Sequence, residues 1–185
     1  MRFKPSGVID SSFGTTGIVK TPFFGFNANI KQVVIDYSNR VVAGGFTYSA
    51  DPVCGLYVCD FAIVRYLEAG SLDVSFGGGK QLVDFYGGND QLGERGLTVQ
   101  ADNKIVGVGI NIFAAGVQYF GLVRFNNDGS RDSSFGPLGD GLVTTLFGPY
   151  AQAIAVAVDP IDGKIVAVGS AGSPPGDLSV VRYWP

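Results

Sequence analysis

The sequence predicts an all-β fold made of three copies of one four-stranded antiparallel unit. An arginine followed by an aromatic residue recurs about every 60 residues, and a fixed period of this kind is typical of one supersecondary unit stacked on copies of itself. The four pairs are Arg2-Phe3, Arg65-Tyr66, Arg124-Phe125 and Arg182-Tyr183. Short apolar runs separated by turn-forming residues fill the space between them, and none of these runs has a helical period. The 28 glycines among 185 residues fit many strands joined by tight turns.

The third repeat is the clearest and predicts strands over residues 142–145, 153–158, 164–169 and 178–183. Asp162-Gly163 lies between the second and third of these runs, and Asp-Gly between two β-rich runs is a strong hairpin signal. The other repeats contain the same four runs. They lie at 17–21, 31–36, 40–45 and 61–66 in the first repeat, and at 81–85, 96–100, 104–109 and 120–125 in the second.

The chain is therefore predicted to be a single repeat domain over residues 1–185, with repeats at 4–66, 67–125 and 126–183. The middle strands are nearly continuous apolar runs, as expected of strands covered on both faces. Four-stranded sheets stacked face to face describe a β-propeller-like array of three blades. A closed propeller needs about four to eight blades, so three blades would continue in a longer array or close with a partner. A β-trefoil, whose repeats are usually shorter, is the alternative.

A second repeated feature follows each of the first three arginines. The motif Asp-x-Ser-Phe-Gly is predicted to be structural: the Asp side chain binds backbone N–H groups, the Phe fills the gap between blades, and the Gly adopts an unusual backbone angle. The positions concerned are Asp10, Phe13, Asp73, Phe76, Asp132 and Phe135. A calcium site built on the three aspartates is the alternative, but it would need about six to eight oxygen ligands, and we predict no metal.

Composition argues against several function classes. The net charge is −3 with the basic residues scattered singly, so nucleic acid is not an expected partner. The chain has no His, so a His-based nucleophilic triad cannot form, and none of the 16 acidic residues is singled out as half of a glycosidase pair. We predict no enzyme activity and no cofactor. No stretch of 18 apolar residues indicates a membrane span, and we recognise no signal peptide because the first repeat begins at once.

The repeated arginines Arg65, Arg124 and Arg182 stand at strand ends, where such side chains usually stack or pair with a carboxylate. A ring of arginines that binds an anion is the alternative. Three aromatic residues in the loops before the fourth strands are the candidate ligand-binding residues, namely Tyr48, Tyr57 and Phe113. They could equally cover the blade edge.

The two cysteines, Cys54 and Cys59, are predicted to form a disulfide across the widest loop, which indicates an oxidising compartment. Free thiols and half of a metal site are the alternatives.

The repeat resembles the delta-60 repeat, a bacterial tandem unit treated as propeller-like. The residues that carry the resemblance are 125–136, 155–160 and 162–169, which contain the Asp-Gly-Ser, Ser-Phe-Gly and Asp-Gly-Lys-Ile words of that family. The first repeat departs most, because Ser38-Asn39-Arg40 replaces Asp-Gly-Lys. The resemblance implies export, a cell-surface location and large multi-repeat proteins, and it implies no catalytic residues.

These observations predict a non-catalytic structural or adhesive module, secreted or on a bacterial cell surface. The terminal repeats keep their apolar positions, and the single Trp, Trp184, lies at the end of the last repeat. We therefore expect self-association, either as a homodimer that closes a ring or as a filament. A carbohydrate- or peptide-binding propeller is the alternative function, with a glycan or a surface protein as partner.

Overall fold

A computed structural model describes residues 1–50, 57–113, 116–173 and 176–185, and within these ranges not the side chains of residues 49, 50, 57 and 58. Over these residues the chain forms eleven β-strands and one short 3-10 turn at Gly77–Gly79. The predicted all-β fold is confirmed. The described residues contain no helix that is long and apolar enough to cross a membrane.

The first blade is a four-stranded antiparallel sheet whose strands follow the order of the chain. Its strands are β1 (Asn27–Ile35), β2 (Val41–Ala50), β3 (Tyr57–Tyr66) and β4 (Lys80–Val83). The β1–β2 turn is fixed by Asp36, whose carboxylate accepts the backbone N–H of Ser38 and of Arg40, both at 2.9 Å. Asn39 takes a φ of 60° there, a conformation that asparagine tolerates better than most residues.

The other two blades form one continuous seven-stranded sheet in the order β11-β10-β9-β5-β6-β7-β8. The second blade comprises β5 (Asn89–Val99), β6 (Ile105–Ile112), β7 (Gln118–Phe125) and β8 (Leu142–Thr145); the third comprises β9 (Ala151–Val158), β10 (Ile165–Ala171) and β11 (Asp177–Tyr183). A single parallel bridge between Arg95 and Ala155 connects the two blades. Within each blade all strands are antiparallel.

The blades are offset from the sequence repeats by one strand, which corrects the predicted grouping. The fourth strand of blade one is β4, which belongs to the second sequence repeat, and the fourth strand of blade two is β8, from the third. Blade three has three strands, β9 to β11, among the described residues. A blade therefore consists of the last three strands of one repeat and the first strand of the next.

The predicted strand over residues 17–21 is wrong for the same reason. This segment stands where β4 and β8 stand in their repeats, but no described strand pairs with it. It contains isolated bridges at Thr15–Ile18 and Phe23–Phe26 instead of a ladder.

The core lies between the blades. Phe61 and Ile63 of β3 meet Leu97 of β5 and Ile105 of β6 in one apolar cluster, and all four are at most 1% exposed. A second cluster joins blades two and three. In both clusters the faces of neighbouring blades pack against one another, which is the arrangement of a propeller and not that of a β-trefoil.

Candidate functional site at the blade junctions

A buried arginine holds the end of β3 and of β7. Arg65, fully buried, donates from Nε to Asp73 Oδ2 at 2.8 Å, and its guanidinium lies 4.5 Å from the centre of the Phe76 ring. The other oxygen of Asp73 accepts the backbone N–H of Ser75 at 3.1 Å and its hydroxyl at 2.6 Å. We call this Arg–Asp–Ser–Phe group the arginine clamp.

The second clamp repeats this geometry. Arg124 donates to Asp132 at 2.8 Å and lies 4.4 Å from the Phe135 ring centre, while Ser134 donates twice to the same carboxylate. Burial alone would raise the pKa of Asp132, but the hydrogen bonds from Ser134 and the nearby positive charges outweigh it and hold the pKa well below its usual value. The carboxylate is therefore ionised and fully used by the clamp.

The first clamp is the most open of the three. Arg2 donates to Asp10 at 2.7 Å and lies 4.9 Å from the Phe13 ring centre, yet the Arg2 side chain keeps 34% of its exposure. The hydrogen bonds from Ser12, with a smaller contribution from Arg2, lower the pKa of Asp10 to about 2.

Arg182 occupies the same repeat position but has no clamp. It is exposed and makes no salt bridge with any described residue. Because Arg65 and Arg124 are buried in ion pairs, the alternative of an anion-binding ring of arginines has no support. Lys164 corresponds to Arg40 and Lys104, which approach the aspartates of the interior clamps, but it lies over the Trp184 ring at 4.5 Å.

The open face of blade three carries apolar residues that are buried everywhere else in the array. Leu178 and Val180 of β11 are 84% and 62% exposed. The equivalent residues of the two interior faces are Phe61, Ile63, Phe120 and Leu122, and each of them is 0% exposed. We call the surface formed by Leu178, Val180 and Arg182 the tail face.

Blade one has the complementary open face. Val33 and Ile35 of β1 are 59% and 58% exposed, whereas Leu97, which stands at the Val33 position in β5, is 1% exposed. These residues line an apolar groove of about 410 Å³, whose other walls include Val41, Phe13 and Arg2. We call this groove the head groove. It presents the same side of a blade that β5 and β6 present to blade one.

Two of the predicted ligand-binding residues, Tyr48 and Phe113, lie on different blades. Tyr48, at the end of β2, packs beside Phe46, with ring centres 6.3 Å apart. Phe113, after β6 in the next blade, stacks on Tyr86 at 6.3 Å and meets Tyr119 edge-on at 5.0 Å. The side chain of Tyr57 lies outside the described residues.

Cys59 is buried and is a free thiol within the described part of the chain. Burial raises the pKa of this thiol. Cys54 lies outside the described residues, so the disulfide stays a prediction.

Sequence reasoning missed an acidic cluster between blades one and two, in which Asp90 is buried, Asp60 is half-buried and Asp84 is exposed. One carboxylate oxygen from each of Asp60, Asp84 and Asp90 lies within 4.8 Å of the others. Asp90 is 0% exposed and accepts the Phe85 N–H at 2.7 Å and a hydrogen bond from the Asn111 amide. Burial, more than any other effect, raises the pKa of Asp90 to about 6. Only one oxygen from each carboxylate converges there, and Asp90 already accepts two hydrogen bonds, so we assign no metal here.

The signal for this cluster lies in a departure from the repeat. Asp90 pairs with Asn111 across β5 and β6, and the equivalent pair across β9 and β10 is Ala151 with Ala171. The scaffold therefore does not require polar groups at this point. The Asn111 Oδ1 atom is buried without a hydrogen-bond partner among the described residues.

The comparison with known families fits this geometry. The family described as a domain of unknown function (DUF5122) beta-propeller matches residues 100–135. Over this stretch the chain is similar to a propeller repeat. The matched residues run from the β5–β6 turn through β6 and β7 to Phe135 of the second clamp. No curated protein matches the chain.

Proposed function

We propose that the chain is a non-catalytic structural module that associates head to tail, with the tail face of one copy packed into the head groove of the next. The observation that carries the proposal is the contrast in exposure at equivalent positions. Val180 is 62% exposed, while Ile63 and Leu122 at the same repeat position are 0% exposed. An apolar surface that is buried twice within the chain is well suited to bury a third time against a copy.

The resemblance to delta-60 repeats supports a place in a bacterial secreted or cell-surface protein. In this proposal the repeated clamps have a structural role, because Arg65 and Arg124 are buried in ion pairs and do not face a substrate. The blades then act as a rigid spacer or adhesive array.

Light scattering tests association directly. We expect the mass of the wild type to rise above 19.4 kDa at micromolar concentration and Val180→Lys to stay at that mass. Ile161→Lys is the matched control, because Ile161 is 93% exposed and lies in the β9–β10 turn, so it is not one of the residues of the tail face. A wild type that remains monomeric at high micromolar concentration contradicts the proposal.

A carbohydrate-binding function is the second candidate, favoured by the aromatic group of Tyr86, Phe113 and Tyr119. Tyr86 is 50% exposed and its hydroxyl donates to Asp140 at 2.9 Å, which fixes a ring that a sugar could stack on. A glycan array with wild type and Tyr86→Ala separates the candidates. Specific hits that Tyr86→Ala abolishes favour lectin activity, and a blank array contradicts it.

A further inference from the structure

We infer that two copies of the chain join by exchanging an arginine: Arg182 of one copy replaces Arg2 in the clamp of Asp10 on the next copy, and β11 gains that copy's residues 17–21 as its fourth strand. This inference rests on the proposed head-to-tail association and adds to it a defined edge, register and ion pair.

The edge of β11 is the acceptor. In blade one β3 is covered by β4, with Val64 opposite Lys80, and in blade two β7 is covered by β8, with Val123 opposite Leu142. Within the described residues β11 pairs only with β10. An uncovered edge strand offers a row of backbone donors and acceptors to another chain.

Residues 17–21 are the donor, because they match β4 and β8 in position. The Arg2 N–H donates to Gly17 O at 3.1 Å, as the Arg124 N–H donates to Gly141 O at 2.9 Å just before β8 begins. Continuing that correspondence places Ile18 opposite Val181 and Val19 opposite Val180 of the partner. Blade two separates the donor segment on blade one from β11 of its own chain, so a second copy is the occupant that the geometry favours.

The donor segment is already held in its working position. The Thr21 and Tyr66 hydroxyl oxygens lie 2.6 Å apart, and the equivalent Thr145 and Tyr183 oxygens lie 2.8 Å apart. Phe23 is 3% exposed and packs with residues of β3. Little reorganisation is therefore needed before the segment can pair, which favours association.

Arg2 and Arg182 compete for one place, because they stand at the same repeat position. The Arg2 side chain is 34% exposed in its clamp, against 0% for Arg65 and 2% for Arg124. Arg182 lies on β11, so it would enter the clamp together with Leu178 and Val180 of the tail face. The composite clamp would then have Arg182 from one copy and Asp10, Ser12 and Phe13 from the other.

Removing the competitor tests the exchange. We expect a variant that starts at Lys4 after its initiator methionine to bind itself at least about tenfold more tightly than wild type in sedimentation equilibrium, because the clamp is no longer occupied. Asp10→Asn in that background should reverse the gain. Asp128→Asn, which alters an exposed turn carboxylate bonded to Ser130, is the control and should leave the affinity unchanged. If neither the truncation nor Asp10→Asn changes the affinity of self-association, the exchange is overturned.

A charge swap identifies the partners within the clamp. In the shortened background, Asp10→Arg and Arg182→Asp should each abolish self-association, since they place like charges at the junction. An equimolar mixture should form a heterodimer, with one native and one swapped junction. Failure of the mixture to associate, while the shortened parent does associate, overturns the exchange but leaves head-to-tail association standing.

Oxidative crosslinking tests the register. Val19→Cys combined with Val180→Cys should give intermolecular disulfides, and Lys20→Cys combined with Val180→Cys, shifted by one residue, should give far fewer. Equal crosslinking of the two pairs contradicts the strand pairing. If neither the wild type nor the shortened chain associates at all, the proposed function fails together with the exchange.

Discussion

At the scale of single residues, the arginine clamp explains why the Asp-x-Ser-Phe-Gly motif occurs three times in this chain. The Asp carboxylate binds the turn with one oxygen and the arginine with the other, and the Phe ring carries the guanidinium on its face. An arginine without such partners would be expensive to bury. The sequence predicts that this motif is structural. It does not show that the arginine before each turn belongs to the same clamp.

Truncating a clamp phenylalanine should remove both packing and the support of the buried arginine. Phe76 is 0% exposed within the cluster between blades one and two. We expect Phe76→Ala to lower the free energy of unfolding by about 3–5 kcal/mol, as measured by denaturant titration. Phe24→Ala, at a ring that is 55% exposed, is the control and should change it by less than about 1 kcal/mol. An unchanged midpoint for Phe76→Ala would show that the ring is not part of the core.

Asp90 should make the protein less stable as the pH rises from about 4 to about 6. Its pKa is about 6 in the folded state against an ordinary value of 3.8, so in that window the unfolded chain loses the proton first and unfolding is favoured. The effect is about 1–3 kcal/mol and is complete above pH 6. The lowered pKa of Asp10 and of Asp132 acts in the opposite direction, below pH 4.

Asp90→Asn isolates this contribution. The unfolding free energy of Asp90→Asn minus that of wild type should increase from pH 4 to pH 7. The wild type loses stability over this range, whereas the amide does not titrate. Asp177→Asn, at an exposed carboxylate outside the cluster, is the control for the replacement of an aspartate by an asparagine. A flat difference for Asp90→Asn would mean that Asp90 is ionised in the folded protein throughout.

At the scale of elements, the sequence predicts the strands better than their grouping. The runs at 142–145, 164–169 and 178–183 agree closely with β8, β10 and β11. The period of a tandem repeat does not show where one structural unit starts. The same period therefore fits a blade that begins at any of the four strands. The pairing of β3 with β4 and of β7 with β8 shows which strand begins each blade. Hydrogen bonding between strands that are distant in the chain cannot be recognised from the local sequence.

One glycine in each blade is required by a close approach between strands. Gly45, Gly109 and Gly169 follow equivalent apolar runs, and a Cβ built on each would lie 1.8–2.0 Å from a backbone carbonyl oxygen of the preceding strand. Each lies beside or near a shift in register of the pair. The repeated Gly at this point is thus explained by space, not by turn formation.

Gly109→Ala should force β5 and β6 apart. We expect a loss of about 1–3 kcal/mol in unfolding free energy, measured by denaturant titration. Ser170→Ala, at an exposed position of β10, is the control and should leave the unfolding free energy nearly unchanged. Gly116→Ala would not serve, because the φ of Gly116 is 77° and alanine is strained there. A neutral Gly109→Ala would mean that the two strands can separate without loss.

At the scale of the whole molecule, the three blades form a stack with two different ends. The tail face and the head groove are the two halves of a junction that already occurs twice inside the chain. An interface of this head-to-tail kind forms a ring when the rotation closes and a filament when it does not. Two copies contribute six blades, which falls within the range of closed propellers.

Coupling between folding and association should make the thermal stability depend on protein concentration. A partner that binds only the folded chain stabilises it by mass action, and a tenfold increase in free partner well above the dissociation constant is worth about 1.4 kcal/mol. We expect the wild-type Tm to rise with concentration from low to high micromolar, and the Tm of the shortened chain that starts at Lys4 to rise more steeply at the low end. Val180→Lys keeps its fold but loses the tail face, so its Tm should not vary with concentration. A concentration-independent Tm for wild type and shortened chain alike would show that the two open faces are stable in water on their own.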